Sequence, residues 1–135
     1  MTEYKTRQTP TATPVSQLNQ IFQPLKFKAR ATLNWDKGPL GALLRVTHVG
    51  GYTNTAITPN EGVSSYTPVD LNISWRISPS STIHSLVLGA EVRNLFGAKP
   101  PYVNLAPSGN GSGGYDATAA DPVGRFFAIS ARVSL

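Results

Sequence analysis

The nine residues FKARATLNW, at positions 27 to 35, alternate without a break between apolar or small side chains and polar ones. Phe27, Leu33 and Trp35 belong to the first series, whereas Lys28 and Arg30 belong to the second. A period of two predicts a β-strand with two unlike faces. Either one face packs on a protein core and the other meets water, or one face meets lipid and the other the interior of a barrel.

Four further segments alternate in the same way, at about 40–52, 67–78, 85–95 and 125–135, although the alternation of the first of these is imperfect. No helix of useful length is visible, and residues 1–24 are polar and rich in Pro and Thr. The pattern predicts an all-β protein. A polar loop or tail over residues 1–24 precedes an antiparallel β-meander of about five long strands over residues 25–135.

The composition fits this interpretation and excludes several classes of protein. Charged residues make up 14% of the chain, against about 25% in a typical soluble domain, and there are 12 Gly and 11 Pro. The absence of cysteine excludes disulfides and thiolate metal sites. The net charge of +5 is not gathered into a basic cluster, so we expect no nucleic-acid partner. The chain has no run of 18 apolar residues that would predict a transmembrane helix, and its N-terminus has no signal-peptide pattern.

Strand length and loop length favour the interpretation in which one face of the sheet meets lipid. The predicted strands are about 9–11 residues long, enough to cross a bilayer at a tilt near 45°, whereas the average strand has about 5 or 6 residues. Tight turns near 36–39 and 79–84 alternate with long loops near 53–66 and 96–124, as in outer-membrane barrels. A soluble β-sandwich that acts as a binding module remains an alternative, because its strands also alternate.

The charged side chains follow the alternation. A Lys or Arg at the lipid midplane costs about 2–4 kcal/mol, so the charges fix which face meets lipid. Asp70 and seven other charged residues are predicted to face a barrel lumen: Lys28, Arg30, Arg45, Arg76, Glu91, Arg93 and Arg132. Aromatic residues near the strand ends are predicted to form interfacial girdles: Trp35, Tyr52, Tyr66, Trp75 and Phe127.

Two C-terminal stretches, GAEVRNLFGAKPPYVN and GYDATAADPVGRFFAISARVSL, carry a combination of short motifs. An Asn-Leu-Phe at 94–96 ends a strand, a Pro-Pro-Tyr at 100–102 and a Tyr-Asp at 115–116 lie in the next loop, and Gly124-Arg125 opens the last strand. This combination resembles the C-terminus of TonB-dependent outer-membrane receptors, and LNWDKGPLGALLRVTHVGGYTN at 33–54 looks like a hairpin of that family. The resemblance covers roughly residues 20–135.

The resemblance implies that the chain is the C-terminal fragment of a 22-stranded transmembrane β-barrel in the cell outer membrane. Intact members of the family take up siderophores, cobalamin or sugars through a plugged barrel that the TonB complex energises, and they are not enzymes. The implied partners are outer-membrane lipid, the barrel assembly machinery, the remaining strands and the plug, with TonB reached only through the plug region. The lumen-facing charges could pair with plug carboxylates or attract anionic substrates. Without a plug, the chain is not expected to transport by itself.

The resemblance also assigns roles to individual residues. The last strand would carry the assembly signal, with apolar residues in one phase at Phe127, Ile129, Ala131, Val133 and Leu135, although the family usually ends in Phe. In the loop before it, Tyr102, Tyr115 and Asp116 are the predicted substrate contacts. A fragment of another outer-membrane β-barrel, such as a porin, is a second alternative.

The sequence contains no catalytic constellation. His48 and His84 lack a nucleophile or a metal-ligand spacing around them, and Asp116 and Asp121 match no calcium loop. The Gly-rich SGNGSGG at 108–114 is not followed by a helix, so a phosphate cradle is not expected. We therefore expect no catalytic residues, no metal and no cofactor.

Overall fold

The computed structural model describes residues 4–7, 9–77, 85–106 and 113–134. Its strands are β1 (Lys5–Thr6), β2 (Val15–Ser16), β3 (Lys28–Lys37), β4 (Leu40–Val49), β5 (Tyr52–Asn54), β6 (Glu61–Val63), β7 (Val69–Ile77), β8 (Ser85–Arg93) and β9 (Phe126–Ser134). Within these described residues, no helix is long and apolar enough to cross a membrane.

Five long strands form one antiparallel sheet in the order β3-β4-β7-β8-β9. Each has 9 or 10 residues, so the predicted all-β meander of about five long strands is confirmed. The strands begin and end within three residues of the predicted bounds, and β4 ends at Val49 rather than near residue 52. The origin of this sheet in a 22-stranded barrel stays a prediction.

A two-residue turn joins β3 to β4. Gly38 adopts a φ of +57°, in the left-handed region that costs a residue with a Cβ about 1–2 kcal/mol, and Pro39 follows it. Just after the turn, a Cβ on Gly41 would lie 2.8 Å from the Oγ of Ser74 and 2.9 Å from the Oδ1 of Asp36. The side chains of Asp36 and Ser74 therefore lie on the same face of the sheet, over the glycine between them.

The pairing of β4 with β7 explains the imperfect alternation of the second predicted strand. Leu43 lies opposite Asn72, and Arg45 lies opposite Asp70. Leu43 is thus an apolar residue on the face that carries the charges. Alternation already places Leu43 in phase with Arg45, and the pairing with β7 shows that this phase belongs to the face that carries the charges.

The chain divides into two compact units. The sheet unit comprises Arg30–Thr47, Thr67–Ala98 and Val123–Leu135, and the loop unit comprises Met1–Ala29, His48–Tyr66 and Lys99–Pro122. The loop unit contains two short ribbons, β1-β2 and β5-β6. Residues 1–24, predicted to be a polar loop or tail, contribute the β1-β2 pair and the buried Ile21 to the loop unit.

The buried apolar side chains belong to the loop unit. Among the described residues these are Ile21, Val49, Tyr52, Val63, Tyr66, Val103, Ala119 and Ala120. No described apolar residue of the sheet unit is buried to the same degree. The larger sheet therefore has no hydrophobic core within the described part of the chain.

Candidate functional site

One face of the sheet is apolar over its whole width. The register aligns Leu44 with Leu71, Leu71 with Val92, and Val92 with Phe127. Further rows of apolar residues are aligned across the strands in the same way, toward the short-turn end. We call this the apolar face; its members are Leu33, Trp35, Leu40, Ala42, Leu44, Val46, Val69, Leu71, Ile73, Trp75, Ile77, Leu86, Leu88, Ala90, Val92, Phe127, Ile129, Ala131 and Val133. Many of these side chains are exposed, and Ile129 reaches 90%.

The apolar face is larger than the patches that soluble proteins tolerate. Five strands about 4.8 Å apart, each about 30 Å long, present roughly 700 Å² on one face. The largest apolar patch of a typical soluble monomer covers about 300–600 Å² and is often functional. A continuous surface of this size needs a covering layer.

The dimensions of the sheet match a lipid bilayer. A strand of 9 or 10 residues is about 30–33 Å long and, tilted by about 45°, spans about 21–23 Å of height. Outer-membrane barrels carry an apolar band about 25 Å tall. The strands thus come within a few Å of the height of that band, and they are longer than the average strand of about 5 or 6 residues.

The opposite face, which we call the polar face, gathers the charges. Its charged members within the sheet unit are Arg30, Asp36, Arg45, Asp70, Arg76, Glu91, Arg93 and Arg132. All predicted lumen-facing residues of the sheet unit are therefore on one face, opposite the apolar residues. Lys28, the first residue of β3, belongs to the loop unit.

Two of these charges form a close pair. The Nε of Arg93 donates a hydrogen bond of 2.7 Å to the Oε1 of Glu91, two residues earlier on the same face. The guanidinium carbon of Arg93 also lies 6.0 Å from the ring centroid of Phe126, at the start of the neighbouring strand. The position of the Arg93 side chain at this end of the polar face is thus set by its contacts with Glu91 and Phe126.

The Asn-Leu-Phe motif forms the turn that ends β8. Asn94 is buried with a φ of 51°, a left-handed conformation that Asn tolerates better than most residues. Its side chain accepts a hydrogen bond from the Ala98 amide at 2.7 Å and donates one of 2.8 Å to the Ala98 carbonyl. Its own amide donates to the Oδ1 of Asp70 at 3.0 Å. Asp70, expected to face the lumen, therefore also fixes this turn.

The predicted girdle residues separate into two groups. Trp35 and Trp75 lie on the apolar face near the short-turn end, each about half exposed, and Phe127 lies on that face near the other end. Tyr52 and Tyr66 do not fit the prediction, because both are buried in the loop unit. The Tyr66 hydroxyl donates to the Asp121 carbonyl at 3.2 Å, so its polar end bonds to the protein instead of a membrane surface.

The predicted substrate contacts also differ in position. Tyr102 is exposed to 74% and Tyr115 is half-buried, so Tyr102 remains accessible to a ligand. Asp116 is 1% exposed, which is at odds with a surface contact. Its Oδ1 accepts hydrogen bonds from the amide and hydroxyl of Thr118, at 2.8 and 2.6 Å, and its Oδ2 accepts from the Phe22 amide at 3.4 Å. Asp116 therefore holds the loop unit together.

Tyr52 lies close to this carboxylate. Burial raises the pKa of the Tyr52 phenol. The negative charge of the nearby Asp116 and a weak hydrogen bond to its carboxylate raise that pKa further. However, the buried Tyr52 hydroxyl has no partner among the described residues that meets the geometry of a full hydrogen bond. We take the hydroxyl to be near Asp116 but poorly aligned with it. Sequence reasoning missed this pair, because the two residues are 64 positions apart.

A second buried polar residue links distant segments of the loop unit. Asn54 is completely buried, and its Nδ2 donates to the Asn104 carbonyl at 2.9 Å. Its Oδ1 accepts from the Ala56 amide at 3.1 Å. An Asn at the end of a strand is a weak signal for such an Asx turn, because its side chain can bond to the backbone two residues on, and sequence reasoning did not use it.

The remaining candidates from the sequence are metal ligands and the two histidines. In the described part of the chain, no group of three or more His, Cys, Asp or Glu residues could hold a metal ion. The His48 ring packs at 55° to the Phe27 ring, with 5.7 Å between centroids. His84 and Leu135, which the sequence analysis considered, lie outside the described residues.

Comparison with known proteins finds no family model, no curated protein and no solved structure that matches the chain. The resemblance to TonB-dependent receptors therefore stays a prediction from the sequence motifs.

Proposed function

We propose that the chain is the C-terminal barrel segment of a TonB-dependent outer-membrane receptor. The apolar face would meet lipid and the polar face would line the lumen. The intact parent would carry out energised uptake of siderophores or other nutrients, with the plug and the remaining strands as partners. TonB would act only through the plug region, and the chain would not transport alone.

One observation carries this proposal. The five-stranded sheet exposes an apolar face while none of its described apolar residues is buried. Burying a Leu, Ile or Phe side chain stabilises a protein by about 1.5–3 kcal/mol, so a chain folded for water would not leave so many of them uncovered. Lipid covers such a face without a second protein layer.

The polar face supports the same proposal. Eight charged residues lie on the side that faces away from the apolar series, and Lys37, at the turn end of β3, is the one charged residue of the described sheet strands that is in phase with that series. A soluble sandwich would require only that the inner face is apolar. A barrel wall requires this separation over the full length of every strand.

The experiment that tests the proposal is fractionation and circular dichroism of the chain with and without detergent. We expect the chain to pellet from plain buffer and to gain β structure in detergent micelles or phospholipid vesicles. A soluble, β-rich monomer in plain buffer would overturn the proposal and favour the β-sandwich binding module. A porin fragment would behave like the receptor segment in detergent, and only the plug-coding sequence of the parent would distinguish the two.

A further inference from the structure

A polar cavity lies entirely within the loop unit. Its volume is about 480 Å³, in the range of sites that hold small molecules. The segment 16–26 forms one wall, and residues of β5 and of the loop between β5 and β6 form the other. Because all of these residues belong to the loop unit, an argument from this cavity does not depend on the proposed membrane location of the sheet.

Strand β5 and the residue after it present two threonines to the cavity. Tyr52 and Asn54 are buried, so the alternating side chains of Thr53 and Thr55 point to the opposite side. Both threonines line the cavity, and Asn60, which directly precedes β6, lines it too. Within the described part of the chain, the hydroxyls of the two threonines make no hydrogen bond, so both are available to a ligand.

The other wall is held in place by hydrogen bonds of its own. Asn19 has a φ of 64°, and its Oδ1 accepts a hydrogen bond from the Lys26 amide at 3.2 Å. The Asn19 carbonyl accepts from the Thr53 amide at 3.0 Å, which joins the two walls. The Nε2 of Gln20 donates to the Ser16 carbonyl at 2.9 Å, and its Oε1 has no partner among the described residues. These bonds fix the walls without a ligand, which lowers the cost of ordering them on binding.

The groups that line the cavity restrict the ligand that it suits. The described lining residues supply three hydroxyls, three carboxamides and the ammonium of Lys26, and Leu18 is the one apolar side chain among them. Most small-molecule sites are lined mainly by apolar side chains, so this lining favours a hydrophilic ligand. Neither a carboxylate nor an aromatic ring is among the described lining residues. A cation or a flat aromatic ligand would therefore find no matching group there.

Lys26 gives the cavity its charge preference. Its ammonium forms no ion pair with a carboxylate of the described residues, and its backbone position is fixed through the bond to Asn19. A hydrogen bond from an ammonium to a carboxylate is roughly twice as strong as a bond between neutral groups. The cavity therefore favours a ligand that carries a carboxylate together with several neutral polar groups.

We propose that this cavity binds a small sugar acid. Its carboxylate bonds to the Lys26 ammonium, and its hydroxyl groups bond to Thr53, Thr55 and the Oε1 of Gln20. A threonine hydroxyl both donates and accepts, whereas the Gln20 oxygen only accepts, so the wall offers both kinds of partner that sugar hydroxyls need. An acid without hydroxyl groups would engage Lys26 alone.

Titration of the full chain with galacturonate tests the proposal. The chain is held in the medium in which it folds, whether detergent micelles or plain buffer, and binding is followed by the NMR shifts of the Gln20 and Thr53 amides. We expect saturable binding of galacturonate at millimolar concentrations. Galactose, which lacks the carboxylate, should bind about tenfold more weakly. Acetate, which lacks the hydroxyl groups, should not displace galacturonate at equal concentration.

Variants of Lys26 distinguish a built site from general attraction of an anion. Lys26→Gln should weaken galacturonate binding by about tenfold, and Lys26→Arg, which keeps the charge, should retain most of it. Lys99→Gln is the matched control, because Lys99 is an exposed lysine of the same unit that does not line the cavity. Thr53→Val keeps the shape of the side chain and should weaken the binding of galacturonate by about threefold to tenfold.

Four results would overturn the proposal. They are no saturable binding of galacturonate by the folded parent chain, equal binding of galactose, equal displacement by acetate, and equal losses in Lys26→Gln and Lys99→Gln. The outcome is separate from that of the proposed function. A chain that folds only in detergent and does not bind galacturonate refutes the sugar-acid site and leaves the proposed function standing. A soluble monomer that binds galacturonate refutes the proposed function and leaves the site standing.

Discussion

At the scale of single residues, the face of the sheet on which a residue lies decides which substitutions are possible at that position. Ala131 lies on the apolar face opposite Leu88, whereas Ala128 lies on the polar face opposite Glu91. The two alanines belong to the same strand and differ by three positions. They offer a matched pair, because the same substitution can be placed toward lipid or toward the predicted lumen.

We expect Ala131→Arg to destabilise the chain in phospholipid vesicles by about 2–4 kcal/mol relative to Ala128→Arg, since an arginine near the lipid midplane loses its hydration. Ala128→Arg places the new charge opposite Glu91 instead. Urea unfolding followed by tryptophan fluorescence would measure the difference. Equal effects of the two variants would mean that the apolar face does not meet lipid.

The buried hydroxyl of Tyr52 lies in surroundings that are unfavourable for a polar group. Its buried hydroxyl lacks a full hydrogen bond among the described residues, and its pKa lies above the ordinary value of 10.0. The neutral phenol is favoured in the folded state, so the unfolded chain loses this proton first as the pH rises. Stability from this group is therefore complete below pH 10 and declines as the pH rises from 10 toward the raised pKa.

We expect Tyr52→Phe to stabilise the chain by about 1 kcal/mol at pH 7, because the variant no longer buries an unsatisfied hydroxyl. The same variant should lose less stability than the parent chain between pH 9.5 and 11. Chemical unfolding at a series of pH values would measure both effects. Tyr102→Phe is the control, since its exposed ring should change neither. An identical decline with pH in parent and Tyr52→Phe would contradict the assignment.

At the scale of the elements, strands and turns have different origins. The strands follow from alternation, which neighbouring residues specify locally. The turn after β8 depends on one residue, Asn94, which supplies both the left-handed backbone and the two side-chain hydrogen bonds to Ala98. The motif that suggested the family resemblance is thus also a structural requirement of this turn.

We expect Asn94→Ala to destabilise the chain by about 2–4 kcal/mol, because it loses two hydrogen bonds and leaves a Cβ in the left-handed region. Asn94→Gly should cost about 1–2 kcal/mol less, since glycine adopts that conformation without steric cost. Unfolding in detergent micelles would compare the two variants. If glycine were no better than alanine at this position, the backbone conformation would not be the cause.

At the scale of the whole molecule, the proposed membrane location predicts an orientation of the sheet relative to the bilayer. Trp35 and Trp75 lie on the apolar face near the short-turn end of their strands, whereas Ile129 lies near the middle of β9. Indole rings favour the level of the lipid headgroups. The two tryptophans therefore mark the depth of the turn end in the proposed membrane location.

We expect the fluorescence of Trp35 and Trp75 to be quenched more strongly by lipids brominated near the headgroup than by lipids brominated deep in the acyl chains. A single tryptophan at Ile129→Trp, in a Trp35→Phe, Trp75→Phe background, should show the reverse order because it lies deeper. The comparison is made in phosphatidylcholine vesicles. The same order of quenching at both depths would contradict the predicted girdle at the turn end.

The amino-acid sequence determined the long strands, the face of each charge and the short turn at Gly38, because each depends on alternation or on backbone preference within a few residues. Only the tertiary structure decided the burial of Tyr52 and Tyr66 and the role of Asp116 inside the loop unit. These depend on pairing partners many positions away, which no local pattern encodes. The physical reason is that burial is a property of the surroundings, whereas alternation is a property of the chain.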